Sequence, residues 1–358
     1  MYDFSIKCAK LIINRIFMPV LPTTLNKLRI VCYTYNHSSY IEDAMNGFCM
    51  QKTNFPFVSI IIDDASTDGE PEIISQYLED HFDMAHAQYD ENNDAKRIAA
   101  IHKDNPNCHF LVILLKYNFY SIKKSKSPFY KGWYENVPYI AICEGDDYWT
   151  DPHKVQKQVD YLDTHPECGL VYTNAEILTP KSGELKVTDL PQQADFETLL
   201  SSSPIMTLTT CYRRNSIINY AKDIHIDSSW MMGDLPQWLY IASQCDIKYI
   251  PDVTGVYRVL EKSASHGNNI DKSVKFCMSS YKIRKFFAEK YNRQHFIKKI
   301  CISHINELMN LAVSHNKNLS VVAAKMAIKD SVFSPKVWIK IMLYSTSFGR
   351  IYHKRKYS

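Results

Sequence analysis

The sequence contains no C-x-x-C pair, since its ten cysteines are all seventeen or more residues apart. Several lie inside apolar runs such as Arg29 to Tyr33 and Tyr139 to Cys143. A disulfide framework or a cysteine-rich zinc site is therefore not expected, and a reducing compartment is. No run reaches the roughly 18 apolar residues of a membrane span; the longest, Phe110 to Leu115, is strand-sized. The N-terminal residues also lack the order of a signal peptide. Asp3 precedes Lys7, Lys10 and Arg15, and no apolar core with a small-residue cleavage site follows. The expected address is cytoplasmic, with membrane contact only at a surface.

A surplus of one charge is missing as well. Forty-two Lys and Arg against 38 Asp and Glu leave +4, which argues against a dedicated nucleic-acid binder. The average conceals a split. Residues 281–358 carry 16 Lys or Arg and only Glu289, Glu307 and Asp330 as acids, so this tail is +13 and the rest of the chain −9. A hydrophobic content of 46% over 358 residues is enough for a sizeable core and excludes disorder as the main state.

The polar residues Asp3, Lys7, Lys10 and Asn14 form one stripe on an otherwise apolar helix over 3–18, ended by Pro19 and Pro22. This gives an N-terminal amphipathic segment, 1–22. The chain then alternates. A strand at Leu28 to Thr34, a helix capped by Ser38 through about Met50, a strand at Val58 to Ile62 and a helix from Glu70 to Phe82 with Pro71 in its first turn are expected. Residues 83–109 are polar and uneven, an insertion or irregular helix. Strands at 110–115 and 138–143 follow, with an amphipathic helix over 152–165. This pattern predicts an α/β domain, 23–270, with a mostly parallel sheet whose ligands bind at the carboxyl ends of the strands. Past Ile270 only helices are expected, from Lys272 to about Tyr344, with Ser334 and Pro335 opening the last. These make a basic helical C-terminal region, 271–358.

Two acidic clusters sit at predicted strand ends. Asp63-Asp64-Ala65-Ser66-Thr67-Asp68-Gly69 has the composition of a turn. A calcium loop is excluded, because position 12 counted from Asp64 is Ser75 and not Glu. In Glu144-Gly145-Asp146-Asp147-Tyr148-Trp149, neighbouring carboxylates repel one another unless a cation or hydrogen-bond donors compensate. Hard oxygen ligands of this kind suit Mg²⁺ or Mn²⁺. A solvated acidic turn is the plainer alternative, against which Trp149 and the buried strand speak.

T-Y-N-H at Thr34 to His37, I-I-D-D-A-S-T-D-G at Ile61 to Gly69 and C-E-G-D-D-Y-W-T-D-P at Cys143 to Pro152 together resemble the family 2 glycosyltransferases of the GT-A fold, in particular a bacterial branch with an E-G-D-D-Y-W-T-D-P signature. Gly233 to Leu239, and Val256 to Val259 followed by Ser263 to Gly267, are similar to later segments of that family. The resemblance runs from about Leu28 to Gly267 and implies a nucleotide-sugar donor, commonly UDP-linked, with inverting transfer to a glycan or lipid-linked acceptor. It implies that Asp64 holds the nucleobase in a pocket shared with Thr34, Tyr35, Asn36 and Ser66. It also implies that Glu144 lies near the ribose, that Asp146 or Asp147 holds the metal, and that Asp234 is the catalytic base. Glu144 departs from the family's usual Asp at that position. Arg258 and His266 are candidates for the diphosphate, and His266 also for the metal. Lys123, Lys124, Lys126 and Lys131 read as a solvated basic loop.

Neither multiple membrane spans nor a Q-x-x-R-W motif is present, so a non-processive enzyme is expected. Rival classes are a nucleotidyltransferase, which usually has a Gly-rich loop that Leu28 to Tyr40 lacks, and a sugar-nucleotide-binding module without chemistry. The basic tail suggests an anionic membrane surface as a further partner.

Overall fold

The computed structural model describes residues 26–130, 137–179, 183–189, 194–260 and 269–357. The expected helix over 3–18, His266 and Lys131 lie outside the described residues. The chain divides into two compact units. The first holds the chain through Thr164 together with Leu208–Arg214 and Val253–Tyr257; the second holds His165–Thr207, Asn215–Asp252 and Arg258–Ser358.

The first unit is built on a sheet. β1 (Leu28–Thr34) lies between β2 (Phe57–Asp63) and β6 (Tyr139–Ile142), parallel to both, and β5 (Cys108–Leu115) runs parallel beyond β2. Every residue of β2 is buried. That is why these strands read as continuous apolar runs and not as alternating ones: helices cover both faces of a parallel sheet. The helices Ile41–Cys49 and Glu70–His81 connect β1 to β2 and leave β2, as the sequence predicts. Ser38 does not cap the first of them. Its N–H donates to Asp68 Oδ2 (2.9 Å), and the helix starts after a turn in which Tyr40 and Ile41 donate to the carbonyl of His37.

Residues 83–109 are not an irregular helix. They form β3 (Gln88–Glu91) and β4 (Ala95–Ile101), an antiparallel pair that widens the sheet along β5. Ala95, Ile98, Ala99 and Ala100 are buried. Ala, Lys and Arg favour helix locally, but pairing with β5 overrides that preference.

β7 (Tyr148–Trp149) pairs antiparallel with Gly255 and Val256 of β11 (Asp246–Arg258), and β10 (Cys211–Arg213) pairs antiparallel with β6. The helix Lys154–Thr164 closes this part.

In the second unit, β8 (Cys168–Thr179) and β9 (Glu184–Val187) form a hairpin. Helices follow at Arg214–Asp223, which opens in the first unit, and at Asp234–Gln244, Ile270–Lys290, Ile297–Ser314, Ser320–Lys329 and Pro335–Ser345. Asn269 caps the long helix, its Oδ1 accepting from the N–H groups of Asp271 and Lys272. The helix at Pro335 is not the last, because Ser347–Tyr357 forms another. A mixed α/β chain with a helical C-terminal region is thus what the structure contains.

Candidate active site

Because β1 lies between β2 and β6 in parallel register, three loops leave the sheet side by side at its carboxyl edge. Pairing continues past the strands: Asp64 N–H donates to Thr34 O (3.0 Å), Cys143 N–H to Val31 O (3.2 Å) and Gly145 N–H to Tyr33 O (3.0 Å). Gly145 is required by this approach, since a Cβ there would come within 2.2 Å of Thr34 Oγ1. Asn36 (φ 56°) and Ala65 (φ 62°) turn the first two loops through the left-handed region, which asparagine tolerates and alanine does not favour.

Fully buried Glu70, the first residue of its helix, holds two of these loops together. It accepts from the Thr34 hydroxyl, from His37 N–H (2.9 Å) and from the Ser66 hydroxyl (2.9 Å). Asn36 N–H donates to Ser66 Oγ, and Thr67 N–H to Asn36 Oδ1, both at 2.8 Å. Thr34, Asn36 and Ser66 are thereby brought into one rigid network, and Tyr35 is exposed beside them.

Asp64 is 1% exposed and already engaged. Its carboxylate accepts from the N–H groups of Phe119 (2.7 Å) and Tyr120 (3.0 Å) and pairs with Lys126 Nζ at 2.8 Å. Lys126 Nζ also lies 5.3 Å from the centre of the Tyr33 ring. Lys126 is therefore no solvated loop lysine: the loop folds back so that its ammonium and two backbone donors neutralise a buried carboxylate. Asp63, next in sequence, is buried with one carboxylate oxygen unpartnered, and burial pushes its pKa up to about 6.

The third loop gathers Glu144, Asp146 and Asp147. One carboxylate oxygen from each lies within 4.8 Å of the others, with Glu144 exposed, Asp146 half-buried and Asp147 buried. His37 Nε2 stands 4.0 Å from Asp146 Oδ2 and His37 Nδ1 3.3 Å from Thr34 Oγ1, linking the first loop to the third. The three oxygens are hard ligands at a spacing that one small divalent cation can bridge, so this donor set fits Mg²⁺ or Mn²⁺. Trp149 anchors the loop from behind. Its Nε1–H donates to Leu208 O (2.8 Å), and Lys154 Nζ lies 4.2 Å from the centre of its ring. Lys154 is fully buried and bonded to Gln158 Oε1 (2.8 Å); burial pushes its pKa down to about 8.

Asp234 and Arg258 belong to the second unit. Asp234 is the first residue of its helix. One carboxylate oxygen accepts from Leu235 N–H (2.7 Å) and the other from the Thr207 hydroxyl (3.1 Å). Arg258 ends β11 and is buried. Glu70, His37 and Lys126 are the parts that sequence reasoning did not place at the site. Only His37 carried a signal, as the last residue of T-Y-N-H.

The description "Glycosyl transferase family 2" matches residues 30–103, the stretch that contains the first two loops and Glu70. Over that span the chain is similar to glycosyl transferase family 2. Among curated relatives, an uncharacterized protein of Mycobacterium tuberculosis (strain H37Rv) is 30% identical over 234 residues, 64% of this chain. The match spans 58% of that relative's length. The putative teichuronic acid biosynthesis glycosyltransferase TuaG of Bacillus subtilis is 22% identical over 238 residues, 66% of this chain and 80% of TuaG. Among solved structures, S. aureus TarS 1–349 in complex with UDP-GlcNAc is 13% identical at a TM-score of 0.49, covering 90% of this chain and 91% of that one. The mannosyltransferase PcManGT of Pyrobaculum calidifontis, in complex with GDP-Man and Mn²⁺, is 11% identical at 0.48, covering 97% and 92%.

Proposed function

We propose that this chain is an inverting, non-processive glycosyltransferase that moves one sugar from a nucleotide-sugar donor, UDP-linked by preference, to a hydroxyl of a glycan or lipid-linked acceptor in surface polysaccharide synthesis. The observation that carries this is the carboxylate triad Glu144, Asp146 and Asp147 at the carboxyl edge of the sheet, beside the Thr34, Asn36 and Ser66 network. The match to glycosyl transferase family 2 over residues 30–103 and the likeness to TuaG support it.

In this proposal Asp146 and Asp147 hold Mg²⁺ or Mn²⁺, which when bound neutralises charge on the departing diphosphate. Glu144 lies near the ribose, and Arg258 donates to the diphosphate. The pocket of Thr34, Tyr35, Asn36 and Ser66 takes the nucleoside, with Asp64 as its base-reading carboxylate once Lys126 releases it. Asp234 takes the proton from the acceptor hydroxyl. The experiment is release of free nucleoside diphosphate from a panel of sugar nucleotides, with and without Mn²⁺. At least one donor is expected to be consumed only with the metal. Pyrophosphate from a nucleoside triphosphate and a sugar 1-phosphate would instead make it a nucleotidyltransferase.

Anionic membrane as a partner belongs to the same proposal, and the C-terminal helices support it. The helix Pro335–Ser345 buries Val337, Ile341 and Tyr344, yet leaves Ile339, Met342 (70%) and Leu343 exposed. The helix Ser347–Tyr357 turns Arg350 inward onto the carbonyls of Tyr344 and Ser345 and exposes Phe348 (79%), Ile351 and Tyr352. Lys336 and Lys354 are exposed among them. Apolar residues facing outward with lysines suit an anionic interface, where each cation contributes about 1 kcal/mol. Sedimentation with phosphatidylglycerol vesicles checks this. The protein should pellet at low salt, remain in the supernatant at high salt, and lose binding when Met342 and Phe348 are both replaced by Glu. Equal recovery in the supernatant with anionic and neutral vesicles would remove the membrane from the proposal.

A further inference from the structure

The second unit holds a cleft of ≈ 280 Å³ that plays no part in the chemistry proposed above. It opens between the helices Ile270–Lys290 and Ile297–Ser314, which supply Phe276, Arg284, His304 and Glu307, and the segment 201–203. Met232 closes one side. Asp234 comes two residues later, and the segment 201–203 runs on to Thr207, whose hydroxyl donates to Asp234 Oδ2. Met231 N–H donates to Ser279 Oγ (2.7 Å), which fastens the stretch carrying Met232 and Asp234 to the helix that carries Arg284.

The cleft is organised around Arg284, which is 5% exposed and held by neutral acceptors. Its Nε donates to Leu199 O (3.0 Å), Nη1 to Ser280 Oγ, and Nη2 to Ser202 O (2.9 Å) and Ser203 Oγ (2.6 Å). A guanidinium has five N–H groups, so one, on Nη1, has no acceptor among the described residues. No carboxylate pairs with it there either; Glu307 and Asp234 act on it only from a distance. Ser280 is locked from both sides. His304 Nδ1 lies 2.8 Å from Ile300 O, which can only accept, so the ring proton sits on Nδ1 and Nε2 accepts from the Ser280 hydroxyl at 3.0 Å. Burial pushes the His304 pKa down to about 4 and leaves that of Arg284 at about 10. At neutral pH Arg284 is therefore the one cation among the lining residues. The Ser201 and Ser202 hydroxyls are spent on Glu197 O and Thr198 O, whereas the Ser203 O–H has no acceptor among the described residues. Two donors, Nη1–H and the Ser203 hydroxyl, remain beside a buried charge without a counter-ion, an arrangement that costs free energy until an anion compensates it.

We propose that this cleft binds a phosphate group of the acceptor, with Arg284 as its counter-ion and Ser203 as a second donor, and so sets the acceptor hydroxyl beside Asp234. The acceptor role rests on the reading of Asp234 as the base. Phosphate fits better than carboxylate. A carboxylate on arginine favours two parallel N–H groups, and Arg284 has only one left, whereas a tetrahedral oxyanion accepts from separate donors pointing different ways. The cleft is larger than a lone phosphate fills, and Phe276 and Met232 offer apolar surface for the ring or chain that bears it. Glu307 stands at its exposed side and disfavours any anion by repulsion, so it tunes the site against tight binding.

The test reads binding at the cleft itself. The full chain is labelled with methyl-¹³C methionine, the Met232 signal is assigned with Met232→Leu, and inorganic phosphate, acetate, glucose and glucose 6-phosphate are titrated at constant ionic strength. The Met232 signal should move with inorganic phosphate, and at roughly tenfold lower concentration with glucose 6-phosphate, the scale of one added ring contact; glucose and acetate should leave it in place. Equal response to both phosphates would make this a site for free phosphate and overturn the acceptor role. Arg284→Gln should weaken the response by about tenfold or more, the loss of one charge-assisted hydrogen bond. Because Arg284 also holds Leu199 and Ser202, a second variant avoids the core. Ser203 is exposed, and Ser203→Asp sets a carboxylate against the guanidinium, which should abolish the phosphate response, while the uncharged Ser203→Asn should keep it. Glu307→Gln should strengthen it. A Met232 signal that ignores phosphate, or that responds equally in Ser203→Asp, would overturn the site. Nucleoside diphosphate release from the donor panel reads the glycosyltransferase proposal separately, so a silent Met232 signal beside a consumed donor rejects the cleft alone.

Discussion

Replacing Asp147 by asparagine is expected to lower turnover by at least about a hundredfold, the scale for losing one electrostatic stabiliser of charge that develops in the transition state. The substitution isolates charge from shape. Asp147 is 3% exposed, and its N–H closes the turn onto Glu144 O at 3.1 Å, a bond that asparagine keeps. What changes is the negative charge offered to a cation by the triad. If Asp146 and Asp147 share the metal, Asp146→Asn should fall by a similar factor, and both variants should need more Mn²⁺ for half-maximal rate. If only one is the inner ligand, its variant alone should resist rescue by excess Mn²⁺. The measurement is a Mn²⁺ titration of nucleoside diphosphate release for wild type and both variants, with thermal melts to show that each is folded. Undiminished activity in EDTA, with either variant, would remove the metal from the proposal.

Strands β1, β2, β5 and β6 were legible because their burial is carried by unbroken apolar runs, so local composition and tertiary role agree. β3 and β4 were not. In Ala95–Ile101 the local preference of Ala, Lys and Arg is helical, and the strand exists because β5 offers it a partner. The same distinction runs through the site. Asp64, Asp146 and Asp147 stand at strand ends in recognisable motifs. Glu70 reads only as a helix start, since its partners Thr34 and His37 lie more than thirty residues earlier and meet it through the β1–β2 register. Lys126 reads as solvent-facing because nothing in its own segment announces a buried carboxylate sixty-two positions before it in sequence. Residues whose role is to satisfy a distant partner leave no local pattern.

Asp234→Asn is expected to reduce sugar transfer by roughly a hundredfold to ten-thousandfold, the contribution of a positioned general base, while leaving affinity for UDP nearly unchanged. The two effects separate because the proposed role concerns the acceptor's proton and not the nucleotide. Fold is not at stake to the same degree. Asparagine retains one carbonyl oxygen for Leu235 N–H, and the Thr207 hydroxyl can turn to accept from the new amide, so the cost in stability should stay near 1 kcal/mol. Charge does change nearby, because the Asp234 carboxylate stabilises the cationic form of buried Arg284. A melting curve beside the kinetic assay distinguishes that effect from lost chemistry, and Asp234→Glu supplies a second control that keeps the charge but displaces it. UDP binding by calorimetry and transfer by product formation complete the measurement. Loss of UDP affinity in a folded Asp234→Asn protein would make the residue a donor ligand, and transfer at the wild-type rate would place the base elsewhere in the chain.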